Sequence, residues 1–190
     1  LTAYSANIAH IASAFSIVEI LYVLYEHKIL HYDPKNPKLE NRDLFILSKG
    51  HGSLALYTIL SSVGFFGDEV LKTFAKPNSI LGGEPCIPLI PGVEATTGSL
   101  GHGLSIAVGM ALAKKIDKTD EKVYVLLGDG ECEEGTIWEA VMFANKYHLG
   151  NLINIVDYNG FQIDGSTHDI MPLDELASKY LRFGWTVQTV

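Results

Sequence analysis

No run of about 18 apolar residues occurs in this chain, so no segment reads as a membrane-spanning helix. The N-terminus has no basic stretch ahead of an apolar one, so no secretory leader is expected. Basic residues are also scarce: 14 Lys and Arg stand against 22 Asp and Glu, giving a formal net charge of −8. With no Lys/Arg run to neutralise phosphates or lipid headgroups, neither nucleic acid nor an anionic membrane is an expected partner, while a small anion held locally remains compatible. The only two cysteines, Cys86 and Cys132, form no CxxC pair. They make neither a disulfide framework nor a zinc signature, and the expected setting is a reducing cytoplasm.

What is present is enough for one substantial core: 190 residues, 47% of them hydrophobic. The chain begins at Leu1 and stops at Val190 inside a strand-like pattern, so a single domain truncated at one or both ends is the expectation. Apolar positions Ile8, Ile11, Phe15, Val18, Leu21 and Tyr25 recur every three or four residues and predict an amphipathic helix over 7–30, stopped by DPKNP. DLFILSKGHGSLALYTIL then gives a short strand, a glycine-containing turn and a helix from about Ser53. A further helix is expected through DEVLKTF, and the Gly/Pro-rich 77–92 reads as a loop. GSLGHGLSIAVGMALAKK opens a small-residue helix, KVYVLL and LINIVDY are apolar strands with a helix between them, and a helix over 174–183 precedes a strand at WTVQTV. Strands alternating with helices predict an α/β fold, a parallel sheet with helices on both faces.

VYVLLGDGECEEGTIWEA, residues 123–140, raises the chemical question. It runs a buried-type strand into GDG and places Asp129, Glu131, Glu133 and Glu134 within six positions. Isolated carboxylates at that place are costly to desolvate unless water, a cation or protonation compensates them. Asp129 follows one strand and Asn159 follows the next, about thirty residues on, the length of one βαβ unit. Both should emerge at the carboxyl edge of the sheet, where open α/β sheets bind ligands. Their hard oxygens suit Mg²⁺ completed by phosphate and water. GDG alone is most often a tight turn, and GDGECEEG lacks the third glycine of a dinucleotide fingerprint. An acidic first helical turn often just complements the macrodipole, the reading given to Glu131 and Glu133.

GDG followed by DYNGFQIDG resembles the thiamine diphosphate signature, and five ordered blocks, HYDPKNP, RDLFILSKGHGSLALY, PGVEATTGSLGHGLSIAVGMALA, GDGECEEGTIWEA and NLINIVDYNGFQIDG, resemble the N-terminal domain of transketolases. The wording GSLGHGLSIAVGMALA is most similar to the N-terminal subunits of split transketolases. The resemblance implies a thiamine diphosphate-binding fold of the diphosphate-binding type. It also implies ketol transfer from a phosphorylated ketose to an aldose, with thiamine diphosphate and Mg²⁺ as cofactors. By that resemblance Asp129, Asn159 and the carbonyl of Phe161 hold Mg²⁺, Gly130 approaches a phosphate oxygen, Gly98 and Leu100 meet the aminopyrimidine, and Ile163 packs on the ring. His51 matches a catalytic, cofactor-binding histidine near the diphosphate and thiazolium, and His10 a catalytic one near the reactive carbon, although the usual HPG context of the second reads HIA here. Glu134 and Glu139 match an acidic relay at a subunit interface. His102 replaces a common glutamine, and Glu84 in LGGEPCIP replaces a sugar-contacting histidine, so both are selectivity candidates. His27, His31, His148 and His168 read as surface residues.

The glutamate that activates the pyrimidine comes, in that family, from a pyrimidine-binding domain of another protomer. The implied partner is therefore a C-terminal transketolase subunit, which would join this chain in a heterotetramer. Two other readings stand beside this one: a different thiamine enzyme, such as a deoxyxylulose-phosphate synthase or a 2-oxoacid dehydrogenase subunit, and a noncatalytic cofactor-binding scaffold.

Overall fold

The computed structural model describes residues 2–6 and 10–190. In chain order its elements are α1 (Thr2–Ala6), α2 (Ile11–Phe15), α3 (Val18–Glu26), β1 (Leu44–Leu47), α4 (Ser53–Ser62), α5 (Asp68–Leu71), α6 (His102–Asp117), β2 (Val123–Gly128), α7 (Gly135–Lys146), β3 (Leu152–Asp157), β4 (Phe161–Gln162), β5 (Gly165–Ser166), α8 (Thr167–Ile170) and α9 (Leu176–Arg182).

The sheet has the order β1-β2-β3 and both pairings are parallel. Every residue of β1 and β2 is buried, as expected for parallel strands covered on both faces. Because successive side chains alternate, the apolar runs split between two cores. Leu44, Ile46, Val123, Val125 and Leu127 pack with Leu104 and Ala107 of α6, Ile137 and Val141 of α7, and Leu176 and Tyr180 of α9. Phe45, Leu47, Tyr124 and Leu126 pack on the other face with Ile17, with Leu21 and Leu24 of α3, and with Leu56 and Leu60 of α4. The expected α/β sheet with helices on both faces is the one observed. A smaller cluster of Tyr57, Phe74, Leu81 and Ile90 seats the 77–92 loop.

Three expectations need correction. The helix expected over 7–30 is interrupted at Ser16 and Ile17, where Ile17 takes φ −118° and Ser16 turns its hydroxyl onto Asp157 at 2.6 Å; residues 7–9 lie outside the described residues. DEVLKTF is helical only over Asp68–Leu71. WTVQTV forms no strand in the described residues: with no ladder partner for its backbone, it is held by Trp185, whose indole N–H donates to the Val141 carbonyl at 3.0 Å. Among the described residues no helix is long and apolar enough to cross a membrane, and both cysteines are free thiols.

Candidate functional site

The carboxyl ends of the strands bring three loops together. In the register of β2 and β3, Gly128 lies opposite Asp157, so the loops beginning at Asp129 and Tyr158 leave the sheet side by side. The Asp129 amide donates to the Asp157 carbonyl at 3.1 Å, extending the ladder by one bond. Asp129 is 2% exposed. Its Oδ1 accepts from the Gly130 amide at 2.9 Å, and its Oδ2 crosses to the next loop to accept from the Gly160 amide at 2.8 Å. Asn159 Oδ1 accepts from the Phe161 amide at 2.9 Å, an Asx turn that fixes the start of β4. Phe161 is exposed, and Ile163, in the turn between β4 and β5, is 96% exposed.

Among the described residues no lysine, arginine or histidine forms an ion pair with Asp129. A buried carboxylate with two N–H donors and no cation is electrostatically incomplete. An amide oxygen one loop away adds a second hard donor, and the set fits Mg²⁺, which takes one or two carboxylates plus phosphate and water. Asp129 and the loop that carries Asn159 stand side by side at the carboxyl edge, joined by the bond from Gly160. Gly130 lies close under Gln162: a Cβ there would stand 3.3 Å from its Oε1.

Asp157 shows what a compensated carboxylate looks like in the same place. Its Oδ2 accepts from Lys49 Nζ at 2.8 Å, from Ser16 Oγ at 2.6 Å and from Asn159 Nδ2 at 3.2 Å. Lys49 is 2% exposed and Asp157 7% exposed, so this is a buried ion pair. It holds the amide nitrogen of Asn159 inward. The sequence motifs contain both residues and assign neither a role, because Lys in SKGHGS carries no sign that its partner lies on β3.

Glu131 and Glu133 are corrections. Neither is a first-turn charge of α7: they sit in a short 3₁₀ turn, Gly130–Glu133, ahead of it. Glu131 is 2% exposed, and its carboxylate accepts from the Ser48 hydroxyl, from the Gly101 amide at 2.9 Å and from the Gly128 amide at 3.1 Å. Burial pushes its pKa up, against the pull of those donors. Glu133 accepts from Gln162 Nε2 at 2.9 Å, tying β4 to the same turn. The signal in the sequence was the cost of desolvating so many carboxylates; a 3₁₀ turn has no helical face from which periodicity could read burial.

The glycine-rich loop before α6 packs against the loop after β1. A Cβ on Gly50 would stand 2.9 Å from Gly98 N, and one on Gly103 would stand 2.7 Å from the Ser48 Cα. Gly98 and Leu100 lie in that loop, with Gly98 at φ +152° and Gly101 at φ +82°. The exposed Glu84 carboxylate lies on Gly98, where an added Cβ would overlap it, and it makes no hydrogen bond to the described residues. Its loop is pinned by Ser53, whose hydroxyl donates to the Gly83 carbonyl at 2.6 Å.

His10 and His51 meet, with ring centroids 5.7 Å apart in an edge-on arrangement. Burial first, then the charges of Lys49 and His10, hold the His51 pKa down at about 4, so its ring is neutral at physiological pH and has one nitrogen to donate and one to accept a hydrogen bond. His102 is exposed, its Nδ1 3.1 Å from the Leu100 carbonyl. Glu134 and Glu139 are both exposed, and neither shares a hydrogen bond with Asp129, Asn159 or His51. Glu134 packs on Gly101, while Glu139 borders an open groove of about 310 Å³ between α6 and α7, with Ser105, Gly109 and Phe143. His27, His31, His148 and His168 are exposed, as expected.

Residues 2–190 match the family model described as the thiamine diphosphate binding domain of transketolase. The chain is 47% identical over 184 residues to one of the subunits of apulose-4-phosphate transketolase from Phocaeicola vulgatus, covering 97% of this chain and 65% of that protein. It is 45% identical over 184 residues to the 6-deoxy-6-sulfo-D-fructose transketolase subunit SqwG of a Clostridium species, covering 97% and 66%. A solved transketolase variant from Pichia stipitis superposes with a TM-score of 0.87 at 34% identity, over 100% of this chain and 29% of that one. Transketolase from Campylobacter jejuni gives 0.81 at 37% identity, over 87% and 27%. The chain thus spans 65–66% of the two subunits and 27–29% of the two transketolase chains. With that match over nearly its whole length, the chain belongs to the transketolase thiamine diphosphate-binding domain family.

Proposed function

We propose that this chain is the diphosphate-binding half of a two-subunit transketolase in the cytoplasm, its residues forming a single domain that is a part of a longer unit. The observation that carries the reading is the buried, cation-free carboxylate of Asp129 beside Asn159 at the carboxyl edge of the sheet. Asp129, Asn159 and the Phe161 carbonyl would hold Mg²⁺ against the diphosphate, with the Gly130 backbone at a phosphate oxygen. Gly98 and Leu100 would meet the aminopyrimidine through main-chain atoms, and the exposed Ile163 would cover the ring. Bound thiamine diphosphate supplies the carbanion that carries a two-carbon ketol unit from a ketose to an aldose. His51 and His10 would be the catalytic histidines, the neutral His51 ring hydrogen-bonding the sugar hydroxyls with His10 beside it. Glu134 and Glu139, left in solvent by this chain, suit shared protonation against a second protomer.

A single α/β unit offers one wall of a cofactor site, so the other wall belongs to a subunit carrying the pyrimidine-binding domain, the pair associating further into a heterotetramer. Both relatives are named as subunits of a transketolase, which supports a divided enzyme. The test is turnover on ketose donors by the purified chain alone and with its partner. Negligible turnover alone and full turnover on addition is the expected result; full turnover with no partner in the preparation by mass spectrometry overturns the divided enzyme.

The relatives' names also point to sugars carrying a phosphate or a sulfonate. Glu84 is acceptor-only and unpaired, so it should bind sugar hydroxyls and repel an anionic group placed beside Gly98. Glu84→His is expected to raise kcat/KM for phosphorylated over unphosphorylated sugars by about tenfold, with cofactor affinity unchanged. Equal losses on every substrate would count against a selectivity role.

A further inference from the structure

Glu131 belongs to none of the ligand sets above, yet it touches three of the loops that make up the site. Ser48 ends the β1 edge and leads directly to Lys49 and His51; Gly128 ends β2 and leads to Asp129; Gly101 closes the loop that holds Gly98 and Leu100. The glycines at 50 and 103 let two of these loops approach, but a glycine contact is permissive and carries no directional preference of its own. Directional hydrogen bonds do, and here they converge on one carboxylate. We infer that Glu131 is the positioning residue that sets the mutual register of the loops at 48–52, 98–101 and 128–130, and through them the spacing of the diphosphate and pyrimidine contacts.

The chemistry selects glutamate. Its two oxygens are acceptor-only, matching three donors that come from opposite sides. Glutamine would turn an NH₂ group against at least one of those donors, and aspartate would fall one methylene short of reaching them. The role rests on the cofactor reading above for its consequence in affinity, but the coupling of the loops is a property of this chain alone.

The test uses Glu131→Gln, with Leu176→Ala, a core variant in α9, as a destabilised control. Mg²⁺-dependent thiamine diphosphate affinity is measured by calorimetry, and amide hydrogen exchange is followed residue by residue, both well below the unfolding temperature. Glu131→Gln is expected to keep the far-ultraviolet spectrum, lose about tenfold or more in affinity, and exchange faster in all three loops together. Leu176→Ala should change neither loop exchange nor affinity. Wild-type affinity in Glu131→Gln, or an equal loss in Leu176→Ala, overturns the inference. If the wild type takes up no Mg²⁺ and thiamine diphosphate, the functional proposal fails and the exchange data decide this one: loosening confined to one loop, or spread evenly through the fold, overturns it. Should Glu131→Gln not fold, Ser48→Ala removes a single donor, and the expected result is faster exchange at Gly101 and Gly128; unchanged exchange there contradicts the strut.

Discussion

Asp129→Asn should lower Mg²⁺-dependent thiamine diphosphate affinity by about a hundredfold or more, since even outer-shell partners of a metal ligand are worth 10–100-fold. The metal-free protein should be no less stable than wild type. The sign of that second effect follows from geometry: Asp129 is a buried anion with two backbone donors and no cationic side chain, so its charge is a desolvation cost until a cation arrives. Asparagine removes the charge and keeps one oxygen for one of those amides, while its NH₂ group faces the other and offsets part of that gain. The expected pattern in a thermal melt is an unchanged or raised midpoint without ligand and loss of the ligand-induced rise. A variant that melts lower without metal, yet still gains stability from Mg²⁺ and thiamine diphosphate, would assign Asp129 to the fold and not to the metal.

The opposite pattern is expected at Lys49. Lys49→Met leaves Asp157 buried with only Ser16 and Asn159 as side-chain donors, and breaking a buried pair from one side costs about 3–5 kcal/mol. Urea unfolding should show that loss. The double variant Lys49→Met, Asp157→Leu removes both charges and should recover most of the stability, because a well-packed apolar pair often equals a buried ion pair. It should not recover cofactor affinity, since the Asn159 amide then has no carboxylate to hold it. Recovery of both together would show that the pair acts only in folding.

The fold was legible where the pattern had one reading. LFIL, VYVLLG and LINIVD are apolar over nearly their full length, so a parallel sheet covered on both faces was the only economical arrangement, and the alternation within each strand then chose the helix each residue meets. WTVQTV misled because a strand pattern describes side chains while a strand needs a backbone partner, and its indole found a helix carbonyl instead. The first long helix misled for a related reason: Ile17 keeps the apolar period through the break at φ −118°, and next to it the Ser16 hydroxyl bonds to a strand 141 residues away. In the site, Asp129 and Asn159 could be placed together from strand ends alone. Lys49, Asp157 and Glu131 could not, because a buried charge is recognised by its partners, and Lys49–Asp157, Ser16–Asp157, Ser48–Glu131 and Gly101–Glu131 all join residues far apart in sequence.

Titration of thiamine diphosphate into the purified chain, with and without Mg²⁺ and with and without the pyrimidine-binding partner, tests the central claim most directly. A single weak site that requires Mg²⁺, is absent for unphosphorylated thiamine, and tightens when the partner is added is the result expected from a half-site completed across an interface. Binding that is indifferent to Mg²⁺ and to the diphosphate, or that is already at full strength in the chain alone, would contradict it.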